Sequence, residues 1–367
     1  MKQKGGKKIV DTPLHRAART GDISRVKQRL YVGDYIDMRN KDGLTPLHQA
    51  VLNNMEEMVY FLLNRGSNVN RRNNVGLTPL HYASRGGHTS IVQHLISASA
   101  NVNQADQRGL TPLHYAARMG HTAIIQHLIH AGANVNRVDE VSSTPLHYAV
   151  RARNTAIVQH LISAGANVDV LDNVGYTPLH CATDRGHTEI VQQLIRLGAN
   201  VNTINEEDET PLMCAISFEP KTGSELTKLL INAPNANLNI KMNCGITALH
   251  NAAEFGHTQT VEHLISAGAD MNILDNNGQT PLHCATDMGN TETVQYLISA
   301  GADVNILDNE GLTALDIASR NDNKELVDIL NSAGALSGSQ LGGSKKNKKR
   351  TKKSKRTKRS KRSKKKV

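Results

Sequence analysis

Residues 106–136 of the chain read DQRGLTPLHYAARMGHTAIIQHLIHAGANVN, and this stretch decides the fold. Thr111 is suited to cap a helix, because its hydroxyl can accept from the open amides of the first turn. Pro112 suits the first helical position, and Gly120 suits the left-handed conformation that ends a helix. The sequence therefore predicts one short helix that starts at Pro112 and a second helix from His121 to about Ala131.

The second helix has an apolar face that this unit cannot bury by itself. The apolar residues fall at i, i+1, i+4 and i+5, which places them on one side of a helix: Ile124, Ile125, Leu128 and Ile129. Ala116 and Ala117 in the first helix are small enough to let another helix approach closely. The unit is therefore expected to stack against similar units.

The tetrapeptide Thr-Pro-Leu-His of this stretch recurs through the chain, in most cases at a pitch of 33 residues. It or a close variant starts at ten positions: Thr12, Thr45, Thr78, Thr111, Thr144, Thr177, Thr210, Thr247, Thr280 and Thr313. The pitch predicts ten copies of one helix-turn-helix unit between residues 9 and 335.

A period of 33 residues with this tetrapeptide is the signature of ankyrin repeats, and the chain resembles that family over about nine tenths of its length. The resemblance implies an all-α repeat fold, an ankyrin solenoid of ten helix-turn-helix units with projecting β-hairpin loops. It also implies that protein partners bind to a concave surface lined by the first helices and the loop tips.

Residues that differ between repeats are the candidates for partner binding. In each first helix, the residue after the His and those three and four further on share one face. Three successive repeats place a Tyr and an Arg there, and these residue types are enriched at interaction hot spots. Later repeats offer acidic and large apolar residues instead. The candidates are Arg16, Arg19, Tyr82, Arg85, Tyr115, Arg118, Met119, Tyr148, Arg151, Asp184, Phe218, Glu254, Phe255, Asp287 and Met288. The alternative for each Tyr is a packing role with its hydroxyl at the rim.

The seventh repeat is irregular. Its loop carries four successive acids, Glu206 to Glu209, and its inter-helix turn holds extra residues around 219–223. Pro234 and Asn235 replace the usual closing Gly. These features predict either a hinge, a contact specific to one partner, or drift in a repeat of little importance.

The two ends of the chain carry the positive charge. Residues 345–367 hold sixteen Lys or Arg and no acid, and residues 1–8 hold four Lys. Without these, 23 basic residues remain against 33 acidic ones. We expect residues 1–8 to be disordered, a Ser/Gly linker at 336–344, and a disordered tail from residue 345.

The tail is predicted to bind nucleic acid, another polyanion or a nuclear import receptor. The residues proposed to contact nucleic acid are Lys345, Lys346, Lys348, Lys349, Arg350, Lys352, Lys353, Lys355, Arg356, Lys358, Arg359, Lys361 and Arg362. The alternatives are a solubilising role or binding to the acidic repeats. A long ankyrin array with such a tail loosely resembles proteins of large DNA viruses and intracellular bacteria.

Several function classes find no support in the sequence. Of seventeen His residues, sixteen occupy recurrent repeat positions, and no cluster has the spacing of a zinc site or a catalytic centre. No catalytic residue, metal, cofactor or small-molecule substrate is therefore predicted. No apolar run is long enough to span a membrane, and the N-terminus lacks the apolar core of a secretion signal. Three of the four Cys occupy one repeat position, too far apart for disulfides, which favours a reducing compartment.

The sequence favours a non-enzymatic, monomeric scaffold that binds proteins through its repeats and is directed to nucleic acid or the nucleus by its tail. The alternative is a nucleic-acid-associated protein in which the tail is the main functional element and the repeats tether a partner. Either protein is expected inside a cell, in the cytoplasm or nucleus, and within a host cell if the viral or bacterial likeness holds.

Overall fold

The computed structural model describes residues 11–218 and 225–342, without the side chain of Phe218. Within these residues the chain forms helices and turns and no β-strand. The basic N-terminal segment, the extra residues 219–223 of the seventh repeat and the tail lie outside the described residues.

The chain divides into two compact units, Met1–Met242 and Asn243–Val367. The described part of the first unit contains seven helix pairs. Its first helices are α1 Pro13–Thr20, α3 Pro46–Leu52, α5 Pro79–Gly86, α7 Pro112–Met119, α9 Pro145–Arg151, α11 Pro178–Asp184 and α13 Pro211–Phe218. Its second helices are α2 Ile23–Tyr31, α4 Glu56–Asn64, α6 Thr89–Ser97, α8 Thr122–His130, α10 Thr155–Ser163, α12 Thr188–Arg196 and α14 Glu225–Ile231.

The described part of the second unit contains three helix pairs. They are α15 Ala248–Phe255 with α16 Thr258–Ser266, α17 Pro281–Asp287 with α18 Thr291–Ser299, and α19 Ala314–Arg320 with α20 Lys324–Ser332. In each unit a first helix packs against the next first helix and a second helix against the next second helix. The predicted helix-turn-helix units are thus confirmed.

The helix ends follow the local sequence. Thr111 is the N-cap of α7, Pro112 is its first residue, and Gly120 ends it with a φ of 82°. His121 is the N-cap of α8 and Ala131 its C-cap. In the fifth repeat the position of Gly120 is taken by Arg153, which has a φ of 55°. The turn therefore needs a left-handed residue even where no Gly is present.

The core lies between the two layers of helices. Ile124, Ile125 and Leu128 are fully buried, whereas Ile129, the fourth member of the predicted face, is half-buried. Burying each such side chain contributes about 1.5–3 kcal/mol. Because the apolar faces of neighbouring repeats cover one another, this contribution is available only to the stack.

The connecting loops project from the helix pairs as tight turns. Asp106 Oδ1 accepts from the amides of Arg108 and Leu110, and the Asp106 amide donates to the carbonyl of Leu110. The carboxylate of Asp106 thus holds the turn closed through side-chain hydrogen bonds, which take the place of the backbone pairing between two strands. The loops predicted as β-hairpins are therefore present without strand residues in the described part of the chain.

The His of most tetrapeptides joins one repeat to the next. His114 Nδ1 accepts from the amide of Thr111, and its Nε2 lies 3.2 Å from the carbonyl oxygen of Ser143 in the following loop. Since a carbonyl can only accept, Nε2 carries the proton. The same contacts recur at His48, His81, His147 and His180.

The last repeat has a different neighbour. Asp316 replaces the His of the tetrapeptide, and its Oδ2 accepts from the amides of Thr313 and Gly338. Thr313 Oγ1 donates to the carbonyl of Leu336, whose amide donates to Asn305 Oδ1. The first residues of the predicted linker, Leu336 to Gly338, therefore pack onto the last repeat as the loop of a further repeat would.

Two remaining features concern the described residues alone. None of their helices combines the length and apolar character needed to cross a membrane. Asn235 has a φ of 60°, so it takes the conformation of the closing Gly that the seventh repeat lacks.

Candidate protein-binding surface

The variable residues of the first unit lie along its first helices, and we call this surface the first-helix face. It comprises the side chains at the position after the tetrapeptide and those three and four residues further on. In the third to fifth repeats the first of these positions holds Tyr82, Tyr115 and Tyr148, each half-buried. The predicted Tyr-Arg series is therefore partly within the protein and only partly offered to a partner.

Each of these Tyr residues has two intramolecular contacts. The ring of Tyr115 meets the ring of His81 of the preceding repeat edge to face, with centroids 5.8 Å apart. Its hydroxyl donates to Asp106 Oδ2 at 2.8 Å, in the loop of its own repeat. The same arrangement joins Tyr148 to Asp139 at 2.6 Å. Tyr82 accepts instead from Asn73 Nδ2, at 2.9 Å.

These contacts change the acidity of the phenols. Burial first, and then the hydrogen bond to Asp139, raises the pKa of Tyr148 to about 12. Burial and Asp106 raise the pKa of Tyr115 in the same direction. Both side chains are thus neutral hydrogen-bond donors at physiological pH. A packing role accounts for the rings and the hydroxyls together.

The Arg residues at this face differ in their availability. The guanidinium groups of Arg85 and Arg118 are exposed and make no hydrogen bond or ion pair to any residue that the structure describes. Met119, beside Arg118, is 49% exposed. These two cations, which occupy the same position in successive repeats, combine with an apolar side chain to form the part of the face that is free to bind.

Arg151 occupies the same position in the fifth repeat but is held within the protein. Its Nη2 donates to Asp172 Oδ2 at 2.7 Å, and its Nη1 donates to Ser143 Oγ at 3.2 Å. The guanidinium is half-buried and the Asp172 carboxylate is nearly fully buried. Arg151 therefore links the fifth repeat to the next loop, and the free cationic series ends at Arg118.

The first repeat adds two cations to the same side of the stack. Arg16 is exposed, and Arg19 lies 3.7 Å from Asp11 in an exposed pair. Exposed pairs of this kind contribute little to stability, at most about 1 kcal/mol. Asp184 of the sixth repeat is exposed as well, whereas the side chain of Phe218 is not described.

The described part of the second unit is acidic. Its described residues, 243–342, include 13 Asp or Glu and two Lys or Arg. Phe255 and Met288 are exposed, Glu254 is half-buried, and Asp287 lies 3.7 Å from Arg320. The predicted acidic and apolar candidates of this unit are therefore at its surface, with Asp287 paired.

The position after the tetrapeptide changes character along the chain. Cys181, Cys214 and Cys284 are buried there and form no disulfide among the described residues, and burial raises the pKa of Cys181 to about 11. A thiol that is buried and protonated is a poor nucleophile. At this position these repeats therefore have a buried thiol, whereas the third to fifth repeats have a half-buried Tyr that a partner can partly contact.

Five of the tetrapeptide His residues are buried and neutral at physiological pH. Burial lowers the pKa of His48, His81, His114, His147 and His180 to about 4. Residues 11–218 and 225–342 contain no group of three or more His, Cys, Asp or Glu side chains that could hold a metal ion.

Two features of the surface were missed from the sequence. The Tyr hydroxyl bond has a detectable signal, since an Asp or Asn stands nine residues before each of the three Tyr. An aromatic group on the second helices of the first two repeats was also overlooked. Its signal is a departure from the polar residues at the same positions of the third to sixth repeats.

The tail residues proposed to contact nucleic acid, Lys345 to Arg362, lie outside the described residues. Their role stays a prediction from sequence.

Comparison with known proteins identifies the repeat. The family model "Ankyrin repeats (3 copies)" matches overlapping segments at residues 3–73, 66–139, 87–172, 146–242, 221–308 and 249–339. Among solved structures, the chain is similar to the ankyrin repeat domain of Bcl-3, described as a unique member of the IkappaB protein family. The identity is 30% and the TM-score 0.52, over 56% of this chain and 94% of that chain. No curated protein matches the chain.

Proposed function

Because the chain belongs to the ankyrin-repeat family, we propose that it is a non-enzymatic scaffold that binds partner proteins through the first-helix face and the adjacent loops. The observation that carries the proposal is the pair of free cations, Arg85 and Arg118, beside exposed Met119. Their neighbours Tyr115 and Arg151 are held by intramolecular hydrogen bonds. The partner is therefore expected to present carboxylates and an apolar side chain to the third and fourth repeats.

The chemistry of this surface suits recognition. An Arg guanidinium can bind a carboxylate with two parallel hydrogen bonds, and Arg is enriched at hot spots. The Tyr rings beneath are fixed by their contacts to His81 and Asp106, so little side-chain entropy is lost when a partner covers them. The fixed Tyr residues act as a platform and the Arg residues as the variable contacts.

The test is affinity capture from cell lysate with the full chain, followed by binding assays with each protein recovered. The variant Arg85→Glu with Arg118→Glu is expected to lose its partners, with binding weakened by at least tenfold. A matched variant, Arg25→Glu with Arg196→Glu, reverses two exposed cations on second helices and is expected to bind normally. Equal binding by both variants would place the partner site elsewhere.

The tail is proposed to be a separate anchor for polyanions. The support is its sequence, sixteen Lys or Arg without an acid. Binding of such a segment releases condensed counterions, so affinity for DNA or RNA is expected to fall steeply with salt. The acidic second unit is a competing partner for the same cations.

The experiment for the tail compares the full chain with a chain that ends at Gly342, across a salt series. The shorter chain retains Leu336 to Gly338, which contact the last repeat. Loss of nucleic-acid binding with protein partners retained supports a separable anchor. Equal and salt-insensitive binding by both chains would eliminate the tail as the nucleic-acid element. Loss of partner binding by the shorter chain would favour coupling between the tail and the repeats.

A further inference from the structure

The second helices of the first two repeats carry an exposed group of aromatic and cationic residues, which we call the outer cluster. It consists of Lys27, Tyr31, Tyr60, Phe61 and Arg65. Tyr31 is 92% exposed, Tyr60 is 57% exposed and Phe61 is half-buried. The cluster lies on α2 and at α4, whereas the first-helix face lies on α1, α3, α5 and the helices that follow them. It is therefore a second surface.

The repeats themselves indicate that these aromatic residues are unusual. Positions 33 and 66 residues after Phe61 hold His94 and His127, and those after Tyr60 hold Gln93 and Gln126. Polar residues therefore satisfy the packing of a second helix at these positions. The combination of Tyr60 and Phe61 is particular to the second repeat, since the ninth repeat has an aromatic residue, Tyr296, at the position of Phe61 but Gln295 at the position of Tyr60.

Two cations are directed at one ring of the cluster. Lys27 Nζ lies 5.7 Å and Arg65 Cζ 5.3 Å from the centroid of Phe61, both within the range of a cation–π contact. Neither cation forms an ion pair with an acid in the described part of the chain. By contrast, the nearby Arg29 is paired with Asp34 at 2.8 Å. The cluster thus holds two like charges close together with their donors unused.

Two clefts meet at these residues. One has a volume of about 500 Å³ and is lined by Leu30 and Tyr31 together with Lys27, Phe61 and Arg65. The other, of about 790 Å³, shares the last three residues and extends past Tyr60 to Glu56 and His94. Each therefore combines an apolar floor with the same two cations at its edge.

Charge limits what can occupy the clefts. Residues 1–10 hold four Lys and no acid, and residues 345–367 hold sixteen Lys or Arg and no acid, so both ends of the chain are repelled. Glu56 and Glu57 line only the larger cleft and oppose a long, uniformly charged polyanion such as nucleic acid, whereas the smaller cleft is lined by no acid. The complementary ligand is therefore short: its carboxylates pair with Lys27 and Arg65 beside the smaller cleft, and an apolar side chain lies over the ring of Phe61.

We propose that the outer cluster binds an acidic segment of a partner protein. An aromatic or large aliphatic side chain of that segment lies against Phe61, and its carboxylates pair with Lys27 and Arg65. This site is independent of the partner proposed for the first-helix face.

The test uses the full chain and three labelled 12-residue peptides in which Phe alternates with Glu, with Gln or with Lys, followed by fluorescence anisotropy. The Glu peptide is expected to bind at least tenfold more tightly than the Gln peptide, and the Lys peptide not to bind. The variant Lys27→Glu with Arg65→Glu is expected to bind the Glu peptide at least tenfold more weakly than the unchanged chain. Phe61→His, which introduces the residue of later repeats, is expected to do the same.

The matched control is Arg25→Glu with Arg196→Glu, which reverses two exposed cations that line neither cleft and is expected to bind the Glu peptide normally. Circular dichroism of each variant checks that the helices are retained. Lys27 and Arg65 are exposed, so their charge reversal tests the site independently of any loss of folding caused by the substitution at half-buried Phe61. Equal affinity for the Glu and Gln peptides, or unchanged binding by Lys27→Glu with Arg65→Glu, overturns the proposal. It is also overturned if an oligo-dT displaces the Glu peptide from the cluster, which would indicate a nucleic-acid site. The same holds if the chain is a dimer that Phe61→His dissociates, which would indicate that a second copy covers the cluster.

Discussion

The hydroxyl of Tyr115 in α7 donates to Asp106 Oδ2 at 2.8 Å. Asp106 lies nine residues earlier, in the loop that precedes this helix. The other oxygen of the same carboxylate accepts from the amides of Arg108 and Leu110. One acid therefore shapes the loop and fixes the ring beside Arg118. This relationship makes the first-helix face a rigid platform, and it can be tested by removing one atom.

Tyr115→Phe removes the hydroxyl and keeps the ring that packs against His81. The free energy of unfolding is expected to fall by about 1–2 kcal/mol, because a hydrogen bond to a nearly buried carboxylate is lost. Tyr31→Phe is the matched control and is expected to be neutral, since Tyr31 is 92% exposed. Urea unfolding followed by circular dichroism measures both. Equal stability of Tyr115→Phe and the unchanged chain would contradict the platform role.

Acidification is expected to destabilise the stack through its buried His residues. Burial lowers the pKa of His114 and its four equivalents to about 4, below the 6.5 of the unfolded chain. The unfolded chain therefore binds more protons, and stability falls as the pH drops from about 6.5 toward 4. At pH 5 each His costs on the order of 1–2 kcal/mol relative to pH 7.

Unfolding at constant ionic strength between pH 7 and 5 measures this dependence. His114→Gln lowers the stability at pH 7 and is expected to show a shallower fall, since one titrating group is gone. The prediction is wrong if the full chain keeps its stability at pH 5.

Substitutions at one turn position of successive repeats are expected to act in opposite directions. Gly120→Val places a β-branched residue at a φ of 82° and is expected to destabilise by more than about 1 kcal/mol. Arg153→Gly relieves a non-Gly residue at a φ of 55° and is expected to stabilise by up to about 1 kcal/mol. Thermal unfolding of the two variants side by side checks the pair. A rise in the midpoint for Gly120→Val would refute the placement of this helix end.

The end of the last repeat is expected to depend on residues beyond the repeat itself. A chain that ends at Ala335 lacks the Leu336 carbonyl and the Gly338 amide that bind Thr313 and Asp316. It is expected to be less stable than a chain ending at Gly342 by about 1–3 kcal/mol, because polar groups of the last repeat lose their partners. Hydrogen exchange of α19 and α20 localises the effect. Identical exchange in the two chains would rule out a capping role.

The repeat and most of its helix ends could be predicted from the sequence, because their causes are local. The Thr-Pro pair begins a helix and Gly120 ends it through preferences of the residues themselves, and the 33-residue pitch separates eight of the nine successive pairs of repeats. The stacking also follows from sequence, since the face that contains Ile124, Ile125 and Leu128 has no partner within its own repeat.

The availability of the surface residues was decided only by the tertiary structure. Arg118 and Arg151 occupy the same repeat position, yet Arg118 is free and Arg151 is bonded to Asp172, which lies 21 residues away in the next loop. Likewise, Lys27 of the first repeat and Arg65 of the second lie over the same ring, that of Phe61, although 38 residues separate them in the sequence. Local preferences act over a few residues, whereas ion pairs and ring contacts depend on which side chains the stack brings within reach.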